Sequence, residues 1–234
     1  MRFIDIHTHS LNPINEHSKS ILNVFAHEIA EKLEILNVNQ NTHQLISIGL
    51  HPYHLESEKH QTEITNNINL IKQFANHHQV WAIGETGLDR SRNINFELQK
   101  EVFYQHIKIS ETIKKPLIIH CVRAYNEVLA IKKQLKPQQK WIFHGFNGNT
   151  ETAKQLLRHN CYLSYNYNLF NSTAKSTLFF KSMPLELLFL ETDTMTNIEK
   201  VYLQAAILKN MKTEELATQI LINFENLIFK NLSF

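Results

Sequence analysis

Six residues of metal-ligand type lie at the ends of five separate apolar runs in this chain. They are His7 and His9 in FIDIHTH, Glu85 in WAIGETGLD, His120 in PLIIHC, His144 in WIFHGF and Asp193 in LLFLETD. Neutral imidazole and carboxylate oxygen together suit divalent cations such as zinc, manganese, nickel or cobalt. His7-Thr8-His9 places two imidazoles on one face of an extended segment, because alternate strand residues point the same way. Taken singly, each histidine reads equally as a hydrogen-bonded core residue, and the chain has 14 of them. A carboxylate at the end of a buried run is costly unless it meets a cation or a basic side chain. The pattern gains its meaning from position: all six lie at the carboxyl ends of their runs. In a parallel β/α barrel those ends converge on one face, where active sites are built.

The elements that must carry these residues are legible as short apolar runs over residues 3–7, 21–26, 45–50, 80–85, 117–120, 141–144, 161–165 and 187–191. They are nearly continuous in apolar residues, as expected for parallel strands buried on both faces. The run at 21–26 also reads as the opening of a helix reaching Leu36. Helical faces lie between the runs: Ile64, Ile68, Ile71 and Phe74; Ala124, Val128, Ile131 and Leu135; Val201, Ala205 and Leu208; Leu216, Ile220 and Leu227. Thr213, followed by Glu214 and Glu215, offers a capping hydroxyl and two acids to the last helix. This alternation predicts an α/β fold, a (β/α)8 TIM-type barrel, with one domain over residues 1–234. Only a short stretch separates His9 from Ile21, so the barrel is expected to be distorted by a shortened first β/α connection. The polar stretch 37–44 reads as a loop.

Composition bounds the function. Hydrophobic residues make up 43% of the 234, enough for a large core, and the formal net charge is +2. A nucleic-acid substrate would therefore be held by a local patch, not by global charge. Cys121 and Cys161 make no disulfide framework and read as reduced thiols of a cytoplasmic protein. No membrane anchor or signal peptide is expected, because Asp5 interrupts the first apolar run.

In order along the chain, His7-Thr8-His9, Gly49-Leu50-His51-Pro52, Gly84-Glu85-Thr86-Gly87-Leu88-Asp89, Pro116 to His120, His144-Gly145-Phe146-Asn147-Gly148 and Glu191-Thr192-Asp193 resemble the motif series of the TatD-like metal-dependent hydrolases. Asn226 to Phe229 is similar to the family's closing helix. The resemblance implies two divalent metal ions, with zinc, manganese, magnesium, nickel and cobalt all admissible. It implies that His7, His9 and Asp193 hold one ion, that His120 and His144 hold the other, and that Glu85 bridges them. It further implies that Asp193 takes the proton of the attacking water, and that His51 and Arg123 lie on the substrate side. The chain departs from the family's pattern after His9, where Ser10-Leu11-Asn12 stands; at Arg123, three residues after His120; and after Asp193, where the chain turns almost directly into a helix. These departures touch the rim and none of the ligands.

The expected activity is hydrolysis of a phosphodiester in DNA, 3′-5′ exonuclease-like, by a metal-activated water, with DNA or another phosphodiester as partner. Two alternatives stay open. The same site would serve an ester or amide, such as an aminoacyl-tRNA ester or a small cyclic amide. A barrel retaining metal without catalysis is the other, although scaffolding alone does not require Asp193 and Glu85.

Overall fold

A computed structural model describes residues 2–10, 18–38, 44–55 and 61–229. Among the described residues, eight strands and eight α-helices follow in the order β1 (Phe3–Thr8), β2 (Ser18–Phe25), α1 (Ile29–Val38), β3 (Leu45–Gly49), α2 (Gln61–Phe74), β4 (Val80–Asp89), α3 (Phe96–Ile113), β5 (Leu117–Val122), α4 (Tyr125–Leu135), β6 (Trp141–Phe143), α5 (Thr150–Arg158), β7 (Tyr162–Tyr165), α6 (Lys175–Phe180), β8 (Leu188–Leu190), α7 (Ile198–Lys209) and α8 (Thr213–Phe229), so that strand and helix alternate from β2 to α7. The strands neighbour one another in sequence order within one sheet. The pairs β3–β4, β4–β5, β6–β7 and β7–β8 are parallel. The two ends of the sheet are joined by a parallel bridge between Thr8 and Asp193. His9 N–H donates to the Asp193 carbonyl at 2.9 Å and Asp193 N–H to the His7 carbonyl at 3.0 Å. A parallel, sequentially ordered sheet with joined ends is a (β/α)8 barrel, as the alternation of runs and helical faces predicts.

The chain forms two compact units. One comprises Met1–Ile21 and Ile142–Phe234, the other Leu22–Trp141. In the first, Ile4 and Ile6 of β1, Leu163 of β7 and Phe189 of β8 are buried, as are Val201 and Tyr202 of α7 and Leu216, Ile220 and Phe224 of α8. The Tyr202 hydroxyl ties α7 to β1: it accepts from Ile4 N–H at 3.0 Å and donates to the Ile4 carbonyl at 2.9 Å. In the second unit every residue of β4 is buried. Around it lie Ile46 and Ile48 of β3, Ile118 and Ile119 of β5, Ile71 of α2, Phe103 of α3 and Val128 of α4, all buried.

The expected helical faces are buried at Ile68 and Ile71 of α2, Val128 and Ile131 of α4, Val201 and Ala205 of α7, and Leu216, Ile220 and Leu227 of α8, whereas Ala124 precedes α4 and Leu135 at its end is exposed. Helix α3, the longest among the described residues, is not one of the expected faces, although Asn95 caps its start by accepting from Leu98 N–H. Its buried face includes Gln99, His106 and Ser110 beside Phe103 and Ile107, so polar residues break up the apolar period. Two of these serve strands. Gln99 Oε1 accepts from Asp89 N–H at 2.7 Å while its Nε2 donates to the Asp89 carbonyl at 3.0 Å. His106 Nε2 accepts from Leu50 N–H at 3.0 Å. The run at 21–26 is strand as far as Phe25 and begins earlier, at Ser18, while the helix that passes Leu36 starts only at Ile29. Helix α1 runs to Val38, so positions 37 and 38 of the expected loop are helical, and residues 39–43 lie outside those described. The shortened first connection also falls on such residues, 11–17. At α8 the acid reaches the helix start: Glu215 accepts from Lys212 N–H at 3.3 Å, and Thr213 is already helical. Cys121 and Cys161 are buried thiols, neither of them joined in a disulfide. Among the described residues, no helix is long and apolar enough to cross a membrane.

Candidate metal centre

Within the first unit, β1 delivers His7 and, just past its end, His9. Their Nε2 atoms lie 3.2 Å apart, with the rings nearly perpendicular. His144 follows β6, its ring centroid 4.3 Å from that of His7. Asp193 follows β8 in the left-handed region at φ 57°, which an aspartate tolerates better than most residues. Its Oδ1 lies 3.6 Å from His9 Nε2. One ligand atom each from His7, His144 and Asp193 falls within 4.8 Å of the others.

Two buried carboxylates hold this set in place. Asp5 accepts from Thr192 twice, from N–H at 2.9 Å and from the hydroxyl at 2.6 Å, which fixes the residue before Asp193. Burial pushes Asp5 up to about 7, against those hydrogen bonds. Glu191 Oε1 accepts from Gly145 N–H at 2.7 Å and lies 3.4 Å from His144 Nδ1. Burial alone would raise Glu191, but the His144 hydrogen bond and the charges of His144 and His7 outweigh it and hold the carboxyl below its ordinary range.

Within the second unit, Glu85 lies inside β4, which runs on to Asp89 instead of ending at the carboxylate. The register of β4 against β5 shifts between Ile83 and Thr86. Gly87, at φ +149°, allows this approach: a Cβ there would meet the His120 carbonyl oxygen at 2.0 Å. Glu85 N–H donates to Asn23 Oδ1 at 2.8 Å, and the same oxygen takes the Ser47 hydroxyl at 3.2 Å. Glu85 Oε1 lies 2.9 Å from His120 Nδ1 and 3.2 Å from His51 Nε2. His51, Glu85 and His120 each offer a ligand atom within 4.8 Å of the others. His120 Nε2 lies 2.7 Å from Asp89 Oδ2. Burial opposes ionisation of Asp89, yet the hydrogen bonds from His120 and Ser91 hold its carboxyl well below the ordinary range.

The sequence-derived residues thus divide into His7, His9, His144 and Asp193 in one unit, and Glu85, His120 and His51 in the other. Arg123 is exposed, at φ 54°, one residue past the end of β5. Sequence reasoning gave no role to Asp5, Asn23, Asp89 or Glu191. Asp89 and Glu191 stand inside the quoted motifs as carboxylates beside apolar residues, a signal that would have found them. Nothing local distinguishes Asn23.

The donor sets fit divalent cations. Each joins imidazole to carboxylate, and each has a further carboxylate against the second nitrogen of one ring. That arrangement fixes the tautomer and aims the other nitrogen. Fold and site together define a β/α barrel with histidine–carboxylate sets carried by its strands.

The family model described as TatD related DNase matches residues 4–229. The chain belongs to that family. It is 31% identical, over its full length and 96% of the relative, to an uncharacterized metal-dependent hydrolase of Buchnera aphidicola subsp. Baizongia pistaciae. It is 30% identical, over 63% of its length, to the human 3′-5′ RNA nuclease TATDN2, of which the match spans 19%. Among solved structures, the TatD homologue YJJV of Escherichia coli aligns with a TM-score of 0.80 over 97% of both chains at 22% identity. A TatD-family hydrolase of Entamoeba histolytica aligns with a TM-score of 0.79 over 97% of this chain and 98% of the other at 18% identity. These structural likenesses concern the fold.

Proposed function

We propose that this protein is a divalent-metal-dependent phosphodiesterase of the cytoplasm that shortens DNA from its 3′ end. The observation that carries the reading is the presence, in a TatD-family chain, of two compact histidine–carboxylate sets. The names of its relatives, metal-dependent hydrolase and 3′-5′ RNA nuclease, point the same way.

In this reading His7, His9, Glu85, His120, His144 and Asp193 are the ligands of two divalent ions. Bound there, such ions supply a more acidic water and neutralise charge developing on a phosphoryl oxygen. The remaining work falls to the chain's own groups. Asp193, partly open to solvent at 30% exposure, accepts the proton of the attacking water. Asp89 and Glu191 hold the His120 and His144 rings against rotation. His51, whose Nε2 lies 3.2 Å from Glu85, stands on the substrate side. Arg123, exposed past β5, meets a phosphate through its planar fork.

The test is degradation of a 5′-labelled single-stranded DNA with added magnesium, manganese or zinc, beside the Asp193→Asn variant. Expected is a ladder shortening from the 3′ end, abolished by chelator and reduced by a factor of about 10² to 10⁴ in the variant. Asparagine tolerates the left-handed backbone at this position, so the fold is retained. No cleavage by metal-loaded protein would move the assignment to an ester or amide.

A further inference from the structure

Beside His51 lies a strip of rings to which neither the ligand set nor the catalytic roles assign a task. Phe25 closes β2, His27 lies two residues on, and His54 lies in the turn after β3. The Phe25 and His27 rings are parallel to within 4°, with centroids 6.2 Å apart. His54 stands steeply inclined to both, 4.7 Å from Phe25 at 62° and 5.3 Å from His27 at 64°. Phe25 is half-buried, while His27 and His54 are exposed. The strip reaches the candidate metal residues: the His51 ring lies 6.4 Å from Phe25 and 6.4 Å from His54. The Tyr53 ring also packs on His51, 4.5 Å away, and carries the Arg92 guanidinium 3.9 Å over its face.

Ring faces accept any nucleobase, because stacking needs a π-surface and no hydrogen-bond code. A fixed cation nearby suits the phosphate that joins one nucleoside to the next. A small apolar ester would need neither a chain of rings nor that charge. We infer that Phe25, His27 and His54 form a base-stacking subsite for single-stranded nucleic acid, with Arg92, held on Tyr53, facing an adjacent phosphate. The inference rests on the phosphodiesterase reading and deepens it: the substrate is a strand with its bases unpaired near the site of cleavage. The three rings brace one another, so the surface is formed before a strand arrives and little ordering is needed on binding.

Binding tests this independently of turnover. A dye-labelled oligothymidylate with phosphorothioate linkages is compared, by fluorescence anisotropy at fixed salt, with an abasic strand of equal length and linkage. Both carry the same charge. The unaltered protein is expected to prefer the base-bearing strand by on the order of tenfold. Phe25→Leu, which keeps apolar volume without the aromatic face, should bring that preference close to unity and leave the affinity for the abasic strand alone. His54→Ala, which removes an exposed ring, should act in the same direction. Equal affinity of the unaltered protein for the two strands, or a preference that survives both substitutions, overturns the subsite. If nucleic acid is cleaved while the strands bind equally, the subsite falls and the phosphodiesterase reading stands. If no nucleic acid is bound or cleaved, both fall.

Discussion

Asp89 Oδ2 lies 2.7 Å from Nε2 of His120, on the ring nitrogen opposite the one that meets Glu85. A ring held this way has its tautomer fixed and its Nδ1 aimed at the Glu85 side. Asp89→Asn keeps the shape of the side chain and removes the charge. Metal affinity is expected to fall by about 10- to 100-fold with the fold intact. Titration against a competing chelator reads this directly, and an unchanged affinity would remove Asp89 from the site's support.

Glu85 is the carboxylate that both His51 and His120 face, at 3.2 and 2.9 Å. Glu85→Ala deletes the anionic donor of that set. The protein should then carry fewer divalent ions per chain than the unaltered form, as elemental analysis after dialysis would measure. Full metal content in the variant would exclude Glu85 as a ligand.

His106 predicts a pH dependence of stability. Its Nε2 accepts from Leu50 N–H and its Nδ1 faces the Val102 carbonyl at 2.7 Å, so the native ring is neutral. Burial pushes it down to about 4 from an ordinary 6.5. Between those values the unfolded chain binds a proton that the native state does not. The contribution is complete above 6.5 and is lost as pH falls towards 4, up to about 3 kcal/mol. Urea unfolding across this window should show stability rising with pH, and the slope should flatten in His106→Gln. An identical slope in the variant would assign the dependence to other groups.

Gly87→Ala tests the close approach of β4 to β5. The added Cβ would lie 2.0 Å from the His120 carbonyl oxygen at a φ that L-residues avoid. A loss of about 3 kcal/mol or more is expected, seen as a fall in Tm of roughly 10 °C. A Tm within a degree or so of the parent would show that the strands separate easily there.

The sequence alone determined the barrel and its order of strands. Parallel strands buried on both faces must be apolar throughout, so each appears as a run, and the helices between them show their own period. It also supplied the ligand types, because a histidine or carboxylate within such a run is costly without a partner. Tertiary structure decided the partners. Asp89 and His120 are 31 residues apart and meet because β4 and β5 are neighbours with a shifted register. Glu191 reaches His144 across 46 positions of chain between it and Gly145, whose N–H it holds. His51, read from sequence as a substrate-side group, stands against Glu85. Helix α3 escaped the sequence reading because Gln99 and His106 are spent on the backbones of Asp89 and Leu50. Hydrophobic pattern is local and survives in one dimension. Hydrogen bonding between buried polar groups is set by strand register and helix docking, which exist only once the chain has folded.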